Sequence, residues 1–164
     1  MLYGAETKVG TYGAKFLNIG LGARAMGMGG AYTAMGEDAI GCFWNPAIIG
    51  RVDNFEVDIT STQMCAGITY SGFSAVKKLT KGMAIGLFGS YLGVPKMEWT
   101  EPGGPGEMYI SKGTFTYGAS VIGVTWSRWM TDNLIVGLNF KFISEFTSLQ
   151  GVGTWYPSAK LGMW

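Results

Sequence analysis

Apolar and small or polar residues alternate with a period of two in several separated segments of this chain. That period puts successive side chains on opposite faces of an extended strand, and no helix can use it. Leu134, Val136, Leu138, Phe140 and Phe142 fall on one face of a segment. Gly137, Asn139, Lys141 and Glu145 fall on the other, with Ile143 the exception. Phe115, Tyr117, Ala119 and Val121 share a face opposite Thr114, Thr116, Gly118 and Ser120, and the alternation fades at Ile122 and Val124. Between 82 and 94, Met83, Ile85, Leu87 and Tyr91 alternate with Ala84, Gly86 and Ser90, while Phe88 interrupts the small face. Phe55, Val57 and Ile59 alternate with Glu56, Asp58 and Thr60. Residues 66–76 are strand-like without a clear face, and Ala159, Leu161 and Met163 against Lys160 and Gly162 begin a further strand.

The next constraint is charge. Only 14% of the 164 residues are charged, against about 25% in ordinary soluble domains. The longest uncharged stretch, Ile59 to Val76, is crowded with Thr, Ser, Gln and Gly, so it does not read as a lipid-facing helix. The membrane solution left is a closed barrel with alternating lipid-facing and lumen-facing residues; a soluble β-sandwich or lipocalin-like barrel stays open as the alternative. Connection lengths favour the membrane barrel. Lys77–Lys81 and Met130–Asn133 read as short turns, whereas Pro95–Lys112 and Thr147–Pro157 read as long loops with Pro and Gly breakers. Counting strands puts both short turns on one side and both long loops on the other, as in bacterial barrels. Trp126 and Trp129 lie beside a short turn, where an aromatic girdle belongs.

Several chemistries are excluded or weakened by residue content. Histidine is absent, which removes Ser–His–Asp triads, Cys–His pairs and imidazole metal sites. A net charge of +1 gives no nucleic-acid footprint. Cys42 and Cys65 form no CxxC pair and read as apolar thiols, with a bridge conceivable in an oxidising compartment. Glu56 and Asp58 share a strand face about 6–7 Å apart, a spacing open to acid–base work but more simply a polar lumen face. Lys77, Lys78 and Lys81 read as a solvated rim. The methionines are scattered and show no metal-like cluster. Trp99, in the long outer loop, is a candidate partner contact or a ring folded over the barrel mouth.

The first fifty residues are rich in glycine and do not alternate. Gly20-Leu21-Gly22-Ala23-Arg24-Ala25 fits a dinucleotide fingerprint on paper, but no second βα unit follows it. Glycines that let the backbone thread a narrow space are the simpler reading. Residues 39–44 and 46–49 read as two short helical turns, with Asn45 as N-cap and Pro46 at the first helical position.

These same residues carry a family resemblance. Gly22-Ala23-Arg24-Ala25-Met26-Gly27-Met28-Gly29-Gly30-Ala31, then Glu37-Asp38-Ala39, then Trp44-Asn45-Pro46-Ala47 closely resemble the start of the PorV/PorQ proteins. Those are FadL-like outer-membrane barrels, several of which serve type IX secretion. Thr7-Lys8-Val9-Gly10 and Phe16-Leu17-Asn18-Ile19-Gly20 look like that family's mature N-terminus, and the likeness runs to about residue 150. Cys42 departs from the small or aromatic residue such proteins carry there.

The resemblance implies an all-β fold: an antiparallel transmembrane β-barrel of about 14 strands, of which this chain supplies about six. Residues 1–52 would form a Gly-rich hatch with short helices, and residues 53–164 the first barrel strands, incomplete at the C-terminus. Relatives are roughly twice as long and no signal peptide is visible; the expectation is an incomplete gene product. Gly27, Gly29, Gly30, Asp38, Trp44, Asn45, Pro46 and Ala47 would be the hatch motif, structural or gating. The function implied is non-enzymatic handling of secreted proteins at the bacterial outer membrane, with outer-membrane lipid, secreted cargo and other secretion components as partners. No cofactor, metal or nucleic acid is implied. The alternative is a FadL-like channel for hydrophobic small molecules, gated by the hatch. An outer-membrane lipase is disfavoured by the missing histidine.

Overall fold

A computed structural model of the chain describes residues 13–80, 82–103, 109–150 and 155–160. Strands β1 (Phe55–Gln63), β2 (Thr69–Thr80), β3 (Met83–Pro102), β4 (Tyr109–Thr131) and β5 (Leu134–Gln150) form one antiparallel sheet in sequence order. A short β6 (Trp155–Lys160) pairs with the far part of β5. The sheet is not closed: among the described residues β1 pairs with β2 alone, so the sequence expectation of a barrel is met here only as an open antiparallel meander.

The register carries the alternation from strand to strand. Ile59, Phe73, Gly89, Ile122 and Phe142 form one row across the sheet; Val57, Ala75, Leu87, Val124 and Phe140 form the next. Both rows lie on the open face, where most of their large side chains are exposed. The other face is covered by residues 13–54. That segment holds 3-10 turns at Lys15–Asn18 and Ile48–Arg51 and two short helices, α1 (Ala23–Gly27) and α2 (Gly41–Trp44).

The covering segment explains each irregularity of the pattern. Phe88 is fully buried on the covered face and meets Phe43 edge-on at 4.9 Å. Ile143, Ala119 and Val121 are buried on the same face beneath Phe16, Leu21 and Ile48. β4 is therefore apolar on both faces where it crosses the segment, which is why its alternation fades at Ile122 and Val124.

Two expectations need correction. Pro95–Lys112 is not a long loop but mostly strand: β3 and β4 continue as a ladder to Pro102 opposite Tyr109, with bulges at Val94/Met97 and Trp99/Thr100. Backbone pairing within the hairpin satisfies the groups that a loop would leave to water. Thr147–Pro157 is likewise shortened by pairing of Thr147 with Tyr156 and Ser148 with Trp155. Second, Trp129 does not belong with Trp126 in a girdle. Three residues apart on a strand they point to opposite faces: Trp126 shares the open-face row of Ile85 and Leu138, while Trp129 reaches the covering segment. Lys81 lies outside the described residues.

Candidate functional site

The candidate site is the seat of the N-terminal segment on the sheet, since every motif residue except Trp99 lies there. α1 opens after Gly22, whose φ of +95° favours glycine. It ends at Gly27, around which a Cβ would meet nothing. Gly29 and Gly30 follow at φ +65° and +82° and turn the chain back. The loop so formed is tied down by two side chains: Asn45 Nδ2 donates to the Thr33 carbonyl at 2.9 Å, and Arg51 Nη1 to that of Ala34 at 3.1 Å.

Asn45 also accepts the Ala47 N–H on Oδ1 at 3.1 Å, an Asx-type turn that leads into the 3-10 turn Ile48–Arg51. The helical turn expected at 46–49 is a turn at 46–47 that runs on into the 3-10 segment. Asn45, extended at φ −150°, takes the Ala47 N–H on its side chain and the Ile48 N–H on its carbonyl, as an N-cap does. Trp44 closes α2 and donates Nε1–H to the Leu21 carbonyl at 2.9 Å, joining the two helical pieces. Tyr32 donates its hydroxyl to Asp38, whose other oxygen lies 3.8 Å from Arg24. Burial, and then the hydrogen bond to the Asp38 carboxylate, hold the Tyr32 phenol above its ordinary range.

Pro46 and Ala47 lie directly on β5. A Cβ built on Gly137 would stand 2.4 Å from both Ala47 N and the Pro46 carbonyl carbon, so the two backbones touch there and only glycine fits. On either side of this contact the sheet grips the main chain of the segment. Glu145 Oε1 accepts the Ala14 N–H at 2.7 Å, Asn139 Nδ2 donates to the Cys42 carbonyl at 2.9 Å, and Trp129 Nε1 donates to the Gly50 carbonyl at 2.9 Å. Glu145 also receives the Tyr117 hydroxyl, and Asn139 that of Thr125.

Contacts with β2 and β3 are of another kind. Leu21 fills the space over Gly72, the Cys42 sulfur that over Gly86, and Phe16 meets Tyr70 edge-on at 6.5 Å. Cys42 is fully buried, and burial pushes its thiol up to about 11; Cys65, in the β1–β2 turn, is exposed. Glu56 reaches the Ala39 N–H from β1, while Asp58 accepts the Thr60 hydroxyl at 2.9 Å.

A cavity of about 80 Å³ remains between segment and sheet, lined by Leu17, Leu21, Phe43, Trp44, Tyr70 and Phe88, among others. Lys141 borders it with its Nζ 5.7 Å from the Phe88 ring centre, within cation–π range. Among the described residues no His, Cys, Asp or Glu group is arranged to hold a metal. Trp99 is remote from all of this. It stands in the β3–β4 hairpin opposite Gly113 and is partly exposed.

Sequence reasoning did not single out Gly137, Trp129, Asn139 and Glu145 as seating residues. A signal was present for one of them: a glycine inside a strand marks close backbone approach. For Asn139 and Glu145 the polar parity pointed only to a lumen. Comparison with protein-family models, with curated proteins and with solved structures found no match.

Proposed function

We propose that this chain folds as the hatch and wall strands of a bacterial outer-membrane β-barrel similar to the PorV/PorQ proteins, and that it handles secreted proteins without chemistry of its own. The observation that carries the membrane part is the open face of the sheet. On β5 it is apolar from Leu134 through Phe142, a rise of roughly 26 Å along the strand. At a strand tilt of about 40° this gives roughly 20 Å along the membrane normal, close to the apolar belt of known barrels. Lys77 and Arg128 flank Trp126 near the short-turn end, where long basic side chains reach the headgroups.

The secretion part rests on the ordered motifs from Gly22 to Ala47. The projecting β3–β4 hairpin, with Trp99, is the surface this reading offers to cargo. Retention of proteins that carry a type IX C-terminal signal by the purified protein is the expected result. Loss of retention, with membrane insertion intact, would refute the secretion reading.

One observation favours a hydrophobic-ligand channel as second reading: the cavity beside Lys141, walled in part by Leu21, Phe43 and Phe88. Its 80 Å³ falls far short of the roughly 300–1,000 Å³ of small-molecule sites, so the channel reading requires the hatch to move. Uptake of an apolar dye into vesicles that contain the protein would support it.

A further inference from the structure

The way the segment is held says which side of it is fixed. Toward β4 and β5 the attachments go to its main chain at three separate places: Ala14 N–H, the Cys42 carbonyl and the Gly50 carbonyl. Two of the three come from neutral donors, and at Gly137 backbone lies on backbone. Toward β2 and β3 the contacts are apolar surfaces, Leu21 on Gly72, Cys42 on Gly86 and Phe43 on Phe88, apart from the Lys78 N–H that donates to the Asn54 carbonyl where the segment runs into β1. On the β1 side, Glu56 faces the like charges of Asp38 and Asp58. Apolar contact is non-directional and slides or parts gradually, whereas a main-chain hydrogen bond in a buried seat is lost outright when the groups separate.

We infer that the hatch is a fixed fitting of the β4–β5 wall, and that any opening past it forms on the β1–β2 side while the hatch stays seated on β5. The barrel reading decides only what such an opening is for; the seating stands on the contacts themselves. Movement is a two-sided question, so two distances answer it. In the full chain with Cys65→Ser, the buried Cys42 being kept as a packing contact, spin labels go on Met35→Cys in the hatch, Val57→Cys on β1 and Leu138→Cys on β5, all at exposed positions. Double electron–electron resonance is recorded for each pair, in lipid vesicles and in detergent.

The expected result is a single narrow 35–138 distribution and a broad or two-component 35–57 distribution, with the wall pair 57–138 narrow as reference. Asn139→Ala with Trp129→Phe should broaden 35–138. A 35–138 distribution as broad as 35–57 overturns the inference, because the hatch then leaves β5. Narrow distributions for both pairs overturn it too, because no β1-side opening then exists. These distances are read whether or not the chain spans a membrane, so failure of the barrel reading is separately visible in lipid access of Phe140→Cys.

Discussion

Gly137 and Gly27 look alike in the sequence and are predicted to respond oppositely to alanine. At Gly137 the new Cβ would stand 2.4 Å from Ala47 N and 2.8 Å from its Cα. Restoring ordinary contact means moving the backbone at Pro46 and Ala47 away by about 1 Å, because carbon atoms pack at roughly 3.5–4.0 Å. The same movement stretches the 2.9 Å bonds from Asn139 to Cys42 and from Trp129 to Gly50 past hydrogen-bond length. Overpacking costs about 1–3 kcal/mol, and each bond lost adds about 0.5–1.5 kcal/mol. Gly137→Ala should therefore cost about 2–6 kcal/mol, which at an m-value of about 2 kcal/mol/M is roughly 1–3 M in urea midpoint. Gly27 ends α1 with nothing near its Cβ position and no positive φ, so Gly27→Ala should be neutral or stabilise by up to about 1 kcal/mol. Urea unfolding of the detergent-refolded protein, followed by tryptophan fluorescence, measures both. A Gly137→Ala midpoint within error of the parent, or a Gly27→Ala loss of equal size, would refute the backbone-contact reasoning.

Further predictions concern other parts of the same arrangement. Leu87→Arg places a charge on the open face; in a membrane-spanning barrel it should cost about 2–4 kcal/mol and impair vesicle insertion, and an unchanged insertion yield would argue for a soluble sheet. Phe88→Ala removes a fully buried ring set edge-on against Phe43 and should cost about 3–5 kcal/mol by urea titration. Maleimide at pH 7 should label Cys65 alone, since Cys42 is buried and its thiol pushed up to about 11; two labels on the folded chain would contradict the packing over Gly86. Tyr32 should ionise after the exposed tyrosines in a 295 nm titration. Its raised folded value favours the neutral phenol in the native state, so its contribution is intact below about pH 10 and fades as pH rises above it.

What the sequence made legible was parity. The face assignments for β1 and β5 and most of β3 follow from period two alone, because a strand offers only two faces. What it left illegible came from the third partner, the N-terminal segment. Phe88, Ile143 and the fade at Ile122 and Val124 look like errors in the alternation until an apolar segment is laid over the face that holds Phe88, Val121 and Ile143. The long outer connections were misread because Pro and Gly near 102–106 suggested a loop, while the residues before and after them had a ladder to form. The motif residues from Gly27 to Ala47 were found by their order in the chain. Their seats on β4 and β5 lie some 80 to 130 residues away, and no local pattern joins Gly50 to Trp129 or Ala14 to Glu145.

Three of those seats hold peptide groups, and every residue but proline brings the same peptide group to its position. β4 and β5 therefore hold the N-terminal segment largely by its main chain. In a scan of all single substitutions, positions such as Met26, Met28 and Met35 on the exposed surface of the hatch should accept most replacements. Intolerance should concentrate instead on Gly137, Asn139 and Trp129, far along the chain from the Gly22–Ala47 motif. The exposed loops of residues 13–54 are thus free to diversify while the segment keeps its place on the sheet.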